Sequence, residues 1–271
     1  MEIAETMRNS IFSAFCQLIH DESGISLGDG KEALMSARIS KRMRALRIGN
    51  FDDYLAMLQA DTTGAELTEL LDVISTNVTS FFREPEHFDF FGEALKTWMA
   101  AGQRRFRIWS AASSTGEEPY TLAMVAAGLL DSSCDFKILA TDLSTRVLRT
   151  AQAGRYGGRL AERIPAPYLH RFFTREKTAD GPVFDVRDEI KQRVVFKRLN
   201  LSAPPFPMNG PFDVVFCRNV MIYFENDTRK SLLGDIHRLL KPGGYLMVGH
   251  SESLSGITTG FKSVRPSIYM K

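Results

Sequence analysis

Four polar clusters stand where buried, strand-like runs give out. "FRIWSA" leads into residues 113–118, "FKILATD" ends on Asp142, "RVVFKRLNL" closes on Asn200 and Leu201, and "FDVVFCRN" closes on Arg218 and Asn219. Doubly wound sheets bind ligands outside the carboxyl ends of their strands, where the strand order reverses, so these clusters converge on one crevice. An acidic residue placed like Asp142 commonly accepts hydrogen bonds from a ribose diol. It can equally cap the next helix, for which "DLST" would serve, and taken alone the two readings balance.

The turn at 113–118 decides which nucleoside fits. It occupies the usual place of a phosphate-binding glycine loop, yet "SAASSTGEEPYTLAM" holds one glycine and GxGxxG is absent. Glu117 and Glu118 at the helix start would repel a pyrophosphate, which argues against NAD, FAD and nucleoside triphosphates. A cation fits better. S-adenosylmethionine (SAM) joins an adenosine to a sulfonium and an α-amino group, so a glutamate here can hold the ammonium while backbone amides meet the carboxylate. Favourable placement in the first turn of a helix bearing Pro119 accounts for one of the two glutamates.

Two other motifs drop out. "GHSES" at 249–253 faintly resembles a GxSxG nucleophile elbow, but no histidine follows His250 to complete the order Ser, acid, His. "APPF" at 203–206 faintly resembles the Pro-Pro-aromatic motif of amino-group methylases, but it follows the third core strand rather than the fourth and reads as a loop.

The elements that must position these residues fall into two textures. The first seventy or so residues show helical spacing: Phe12, Phe15, Cys16 and Ile19 in a helix stopping near Gly24, then Met35, Ile39, Met43 and Leu46 as an apolar stripe with Arg38, Lys41 and Arg44 pointing away. A third helix spans about 52–60 after an Asn50 cap, and a fourth spans 65–74. From Phe106 onward, near-continuous apolar strands alternate with helices, which predicts a parallel sheet covered on both faces. "KPGG" at 241–244 is expected to end a helix and turn the chain into a strand, and "FKSVRPSIYMK" to form a closing antiparallel hairpin. The fifty or so residues between the second and third core strands exceed one crossover, so an antiparallel insertion at about 155–193 is expected, with "PVFDVRDEI" and "RVVF" as strands. The expected division is a helical domain at 1–75, a linker at 76–91 contributing to the cofactor site, and an α/β domain at 92–271.

At 271 residues with 44% hydrophobic and 24% charged composition, the chain reads as an ordinary globular protein of more than one domain. It shows neither a long uncharged apolar run nor a secretory start, so a cytoplasmic location is expected. Cys16, Cys134 and Cys217 read as buried thiols, and the five histidines show no ligand spacing, so no metal is expected. The net charge of +2 is uneven, because Lys31, Arg38, Lys41, Arg42, Arg44 and Arg47 against Glu32 give 31–48 a charge of +5 and leave −3 for the rest. That basic helix is either a solvated face or a docking surface.

Several motifs in order resemble the CheR family of chemotaxis receptor methyltransferases: "TNVTSFFREPEHF", "WSAASSTGEEPYTLAM", "ATDLS", "LNL", "FCRNVMIYF" and "LLKPGGYLMVGHSESL". The resemblance covers nearly the whole chain. It implies a class I SAM-dependent methyltransferase fold, Rossmann-like and doubly wound with a closing antiparallel hairpin, behind a small helical domain. The implied reaction is O-methylation of glutamate side chains on the cytoplasmic helical bundle of chemoreceptors, yielding glutamyl methyl esters and S-adenosylhomocysteine; beside it, no nucleic acid, no membrane insertion and a monomer are expected. By motif, Asn77, Thr79 and Arg83 reach the cofactor, Glu117 holds its ammonium and Asp142 its ribose. Asn200 and Leu201 flank the adenine, Arg218 and Asn219 complete the pocket, and Tyr223 lies near the sulfonium. Arg83 and Tyr223 carry the catalytic roles, orienting the carboxylate and aligning the methyl. The resemblance also moves Arg38, Lys41 and Arg44 to the docking reading. A glycine-rich loop that would tether a receptor peptide is missing from the insertion, so tethering is not transferred.

Two rivals remain open. A nucleic-acid methyltransferase would share the fold, but the small net charge and the absence of a recognisable nucleic-acid module oppose it. A catalytically silent SAM-binding adaptor is opposed by the intact motif residues.

Overall fold

The sheet's seven strands run in the order β6-β2-β1-β7-β8-β10-β9. In this computed structural model, which describes residues 8–26, 32–74, 77–257 and 260–271, β1 (Arg105–Ser110) lies between β2 (Asp135–Asp142) and β7 (Phe212–Phe216), parallel to both. Lys31 of the basic stretch and Thr76 at the head of the linker lie outside the described residues. β6 (Val194–Arg198) forms the edge beyond β2, and β8 (Leu240–Met247) continues the parallel set beyond β7. The order therefore reverses between β1 and β7, and their carboxyl ends open the crevice.

The closing hairpin is as read: β10 (Ile268–Met270) pairs antiparallel with β8, and β9 (Lys262–Arg265) pairs with β10. Side-chain alternation feeds two cores. Ile108, Val214 and Phe216 join α5 (Pro85–Ala100) and α6 (Glu117–Leu129) on one face. Trp109, Val215 and Cys217 meet α11 (Asn226–Leu239) on the other. Burial on both faces is why these strands read as unbroken apolar runs.

Four helices precede the sheet: α1 (Asn9–Ser23), α2 (Glu32–Leu46), α3 (Phe51–Ala60) and α4 (Ala65–Ile74). Phe15, Ile19, Met35, Ile39, Met43, Tyr54 and Leu70 make their common core. Asn50 caps α3 by accepting the Asp53 N–H at 2.8 Å. α1 ends at Gly24, where φ is +66° and a Cβ would fall 2.3 Å from that of Ser202, so glycine is required for both conformation and space. Helix α5 crosses the boundary expected at 91/92, because Phe88, Phe91 and Leu95 pack as one face into the sheet's core.

Two expectations need correction. "KPGG" lies inside β8 and not before it. The register with β7 shifts between Phe212↔Leu240 and Val214↔Tyr245, and the bulged residues bond the chain end through Gly243 N–H to Lys271 O (3.1 Å) and Lys271 N–H to Gly244 O (3.0 Å). "RVVF" belongs to the main sheet through β6, not to the insertion.

Following α7 (Thr145–Ala153), the insertion builds a separate antiparallel sheet in the order β3-β5-β4, from β3 (Arg155–Gly157), β4 (Phe173–Thr178) and β5 (Gly181–Val186). It also carries the short helices α8 (Gly158–Ala161), α9 (Ala166–Phe172) and α10 (Asp188–Lys191). β4 escaped the sequence reading because "FTREKT" exposes polar side chains on both faces and so lacks alternation. Of the cysteines, Cys134 and Cys217 are buried, while Cys16 is half-buried. No described helix is long and apolar enough to cross a membrane.

Candidate active site

A cavity of about 300 Å³ opens above the switch point, walled by the ends of β1, β2 and β7 and roofed by α2 and residues 77–83. Asn77, Thr79, Arg83, Asp142, Asn200, Leu201, Arg218, Asn219 and Tyr223 all border it. Of the adjacent glutamates it is Glu118 that faces the cavity; Glu117 is only 1% exposed, turns its carboxylate to the Thr115 hydroxyl (2.6 Å) and is not in the wall. Arg38 also differs from expectation. It is half-buried, borders the cavity and donates to the Ile74 carbonyl, while Lys41 and Arg44 are exposed. Arg42 spends its charge on Glu66 (2.6 Å) and Glu69 (3.3 Å), so the basic helix presents less positive charge than its sequence suggests.

The β1–α6 turn is tied on three sides. Ser114 N–H donates to Asp142 Oδ2 (2.8 Å), Ser114 Oγ donates to Asn77 O (3.0 Å), and Tyr156 OH donates to Thr115 O (2.8 Å). Asp142 also accepts the Ser144 N–H through Oδ1 (2.9 Å), and Ser144 itself caps α7. Asp142 thus shapes the turn into α7 and still borders the cavity, combining the two roles that its sequence position left balanced. Burial pushes its carboxyl above the usual range, against the opposing N–H bonds from Ser144 and Ser114. Asn200 bonds Glu22 O through Nδ2 (2.9 Å) and accepts the Ser202 N–H (2.9 Å), joining α1 to the end of β6. Arg83 donates to Val78 O (2.8 Å) and stands 4.0 Å from Glu84, too far for a tight pair.

Beneath the cavity, one guanidinium holds two carboxylates. Arg218, 5% exposed, lies 2.9 Å from Glu84 Oε2 and 3.1 Å from Glu118 Oε2, and donates to Arg83 O. Glu118 further accepts Ser110 Oγ (2.7 Å). Burial raises the Glu118 carboxyl, and Arg218 only partly opposes this. For Glu84 burial acts the same way, but Arg218, with His250 and His87, opposes it and the carboxyl sits below its ordinary value. The two acids share one base, and of the pair it is Glu118 that borders the cavity.

The sequence reading weighed Glu84 only as a surface partner for Arg83 and missed its pairing with Arg218, which lies at a strand end 134 positions away and leaves no local signature. It also passed over Glu252, buried in the turn after β8. Among the described residues, Glu84, His87 and His250 bring three potential metal-ligand atoms within 4.8 Å of one another, a grouping no sequence spacing reveals. Arg218 already occupies the same Glu84 oxygen, so a metal ion there would meet a guanidinium. His87 is buried beside that charge, and burial first, then Arg218, hold it down to about 4.

Comparison with known proteins finds two family models side by side. The all-alpha domain of CheR methyltransferase matches residues 10–75, and the SAM binding domain of CheR methyltransferase matches residues 77–270. The chemotaxis protein methyltransferase of Salmonella typhimurium is 37% identical over 259 residues, covering 95% of this chain and 88% of that protein. Those of Klebsiella aerogenes and Borreliella burgdorferi are 38% and 36% identical, covering 95% and 96% of this chain and 88% and 93% of their own.

Proposed function

The chain belongs to the CheR methyltransferase family, and from that premise we propose that it methylates glutamate side chains on the cytoplasmic helices of chemoreceptors, using SAM and releasing S-adenosylhomocysteine. The observation that carries the reading is the meeting of Glu118 and Asp142 on the wall of one cavity at the switch point of the sheet. The Glu118 carboxylate suits the ammonium and sulfonium of the ligand, and the Asp142 carboxylate suits its ribose. The cavity's volume lies at the lower end of the roughly 300–1,000 Å³ of small-molecule sites.

Asp142 keeps lone pairs beyond its two N–H bonds and serves the ribose hydroxyls. Glu118, rather than Glu117, offers its carboxylate to the cationic end. Leu201 supplies an apolar surface for the adenine, with Asn200 beside it. Bound SAM supplies an electrophilic methyl carbon on a good leaving group. The acceptor glutamate, with an ordinary pKa near ~4.3, is ionised at neutral pH, so the protein needs no general base. Its work is alignment and exclusion of water, which proximity can supply. Arg83, on the roof and without a tight acidic partner, orients the incoming carboxylate, and Tyr223 lines the cavity wall where the methyl is aligned. Exposed Lys41 and Arg44 meet the acidic receptor helix.

Incubation with labelled SAM and chemoreceptor cytoplasmic fragments should give base-labile methyl groups. Absence of label, or label that resists base, overturns the reading. Arg83→Ala should lower turnover by tenfold or more while S-adenosylhomocysteine still binds.

A further inference from the structure

The Gly-His-Ser-Glu turn at 249–252, unused by the proposed chemistry, closes on the cavity wall. Glu252 is 5% exposed, and its carboxylate accepts four backbone N–H groups. Oε2 receives Asn219 (2.7 Å) and Gly249 (2.6 Å), and Oε1 receives Val220 (2.9 Å) and Met221 (2.8 Å). Three of these donors are consecutive, forming a concave nest of the kind that binds anions, and the anion is the protein's own side chain. Asn219 is held at φ +57°, a region a non-glycine residue occupies when its surroundings impose it. Gly249 completes the unit. A Cβ there would fall 2.3 Å from Asn219 Nδ2 and 2.9 Å from Glu252 Oε2, while the Glu252 N–H returns to Gly249 O at 2.8 Å.

The clamped segment follows Arg218, which holds Glu84 and Glu118, and leads to Tyr223 in the cavity wall. We propose that Glu252 is the positioning residue of this wall: its carboxylate sets the backbone of residues 219–221 and so places Arg218 and Tyr223. The inference rests on the reading of the cavity as the methyl-donor site. Because all four partners are donors, the role requires a carboxylate. An amide has one acceptor oxygen, and its NH₂ would face N–H groups, whereas aspartate keeps both oxygens on a shorter stem.

The test compares wild type, Glu252→Gln and Glu252→Asp by calorimetric titration with S-adenosylhomocysteine, by steady-state methylation of a receptor fragment, and by a thermal melt that reports the folded fraction. Corrected for that fraction, Glu252→Gln should lose at least tenfold in affinity, and Glu252→Asp should recover part of it. In a double-mutant cycle, Glu252→Gln and Tyr223→Ala should combine less than multiplicatively in kcat/KM, since both remove the same placement. Unchanged affinity in folded Glu252→Gln overturns the proposal, as does a multiplicative cycle. If Glu252→Gln does not fold, Glu252→Asp carries both comparisons. Wild-type protein that fails to bind would overturn the cavity reading and this proposal together, whereas binding unaltered by the substitution overturns the proposal alone.

Discussion

Glu118 and Asp142 are carboxyls that burial holds above their ordinary pKa, and each borders the cavity. A cation bound beside them favours the ionised form, so binding must release protons. Affinity for SAM should therefore rise with pH across the interval just above the usual carboxylate range. Titration in two buffers of different ionisation enthalpy measures the protons released, and none released in that interval would count against the assignment. In the empty protein these two groups act in the opposite sense on stability. Their raised pKa favours the fold below the unfolded value, and that contribution is lost as pH rises through the folded one. His87 behaves differently again, since its pKa is lowered from 6.5 to about 4. The unfolded chain then binds the extra proton, and stability present above the unfolded value is lost as pH falls from there towards about 4. The loss is on the order of 2 kcal/mol, and urea unfolding at pH 7 and pH 5 should show a smaller drop for His87→Gln than for wild type.

At the scale of elements, the β1–α6 turn illustrates how a glycine can be required in one place and wasteful in another. Gly116 sits at φ +98°, and a Cβ there would meet Tyr156 OH at 2.8 Å and Ala151 Cβ at 2.9 Å. Gly116→Ala should cost about 2 kcal/mol or more and weaken SAM binding, because the displaced turn carries Ser114 away from Asp142. Gly128, exposed within α6, has nothing within 4 Å of its would-be Cβ. Gly128→Ala should stabilise by about 0.5–1 kcal/mol without touching ligand affinity. Denaturant unfolding and calorimetric titration of the two variants separate the cases. Elements of this kind were legible where periodicity or a cap was strong, as in α2 and at Asn50. They were not legible in β4, whose exposed polar residues carry no period, or at "KPGG", where a bulge inside a strand looks locally like a turn.

Across the whole molecule, the cavity exists because the helical domain is seated on the sheet's edge. Asn200 bonds Glu22 O, Ser26 N–H donates to Tyr223 O (2.8 Å), and Arg146 donates to Asp72 O (2.9 Å), tying residues 22–26 and α4 to the loops that carry the site. This seating splits the basic residues of α2 by role. Lys41→Glu with Arg44→Glu should reduce receptor methylation severalfold, with the deficit shrinking as salt rises, and leave S-adenosylhomocysteine affinity unchanged. Arg38→Glu should instead weaken ligand binding, since Arg38 borders the cavity. Identical losses from both variants would contradict the division.

The sequence alone determined the family, the parallel sheet with its closing hairpin, the helical domain ahead of it, and most of the cavity's wall. Those features are written in local periodicity and in short motifs at strand ends. Only the tertiary structure decided that Glu118 and not Glu117 meets the cavity, that Arg38 roofs the site, and that Glu84 and Glu252 hold its loops in place. The reason is geometric. Neighbours on a helix point about 100° apart, so which one faces a ligand depends on how that helix docks. Partners 33 or 134 positions distant, as for Asn219 with Glu252 and Glu84 with Arg218, meet only through the order in which the strands are laid side by side.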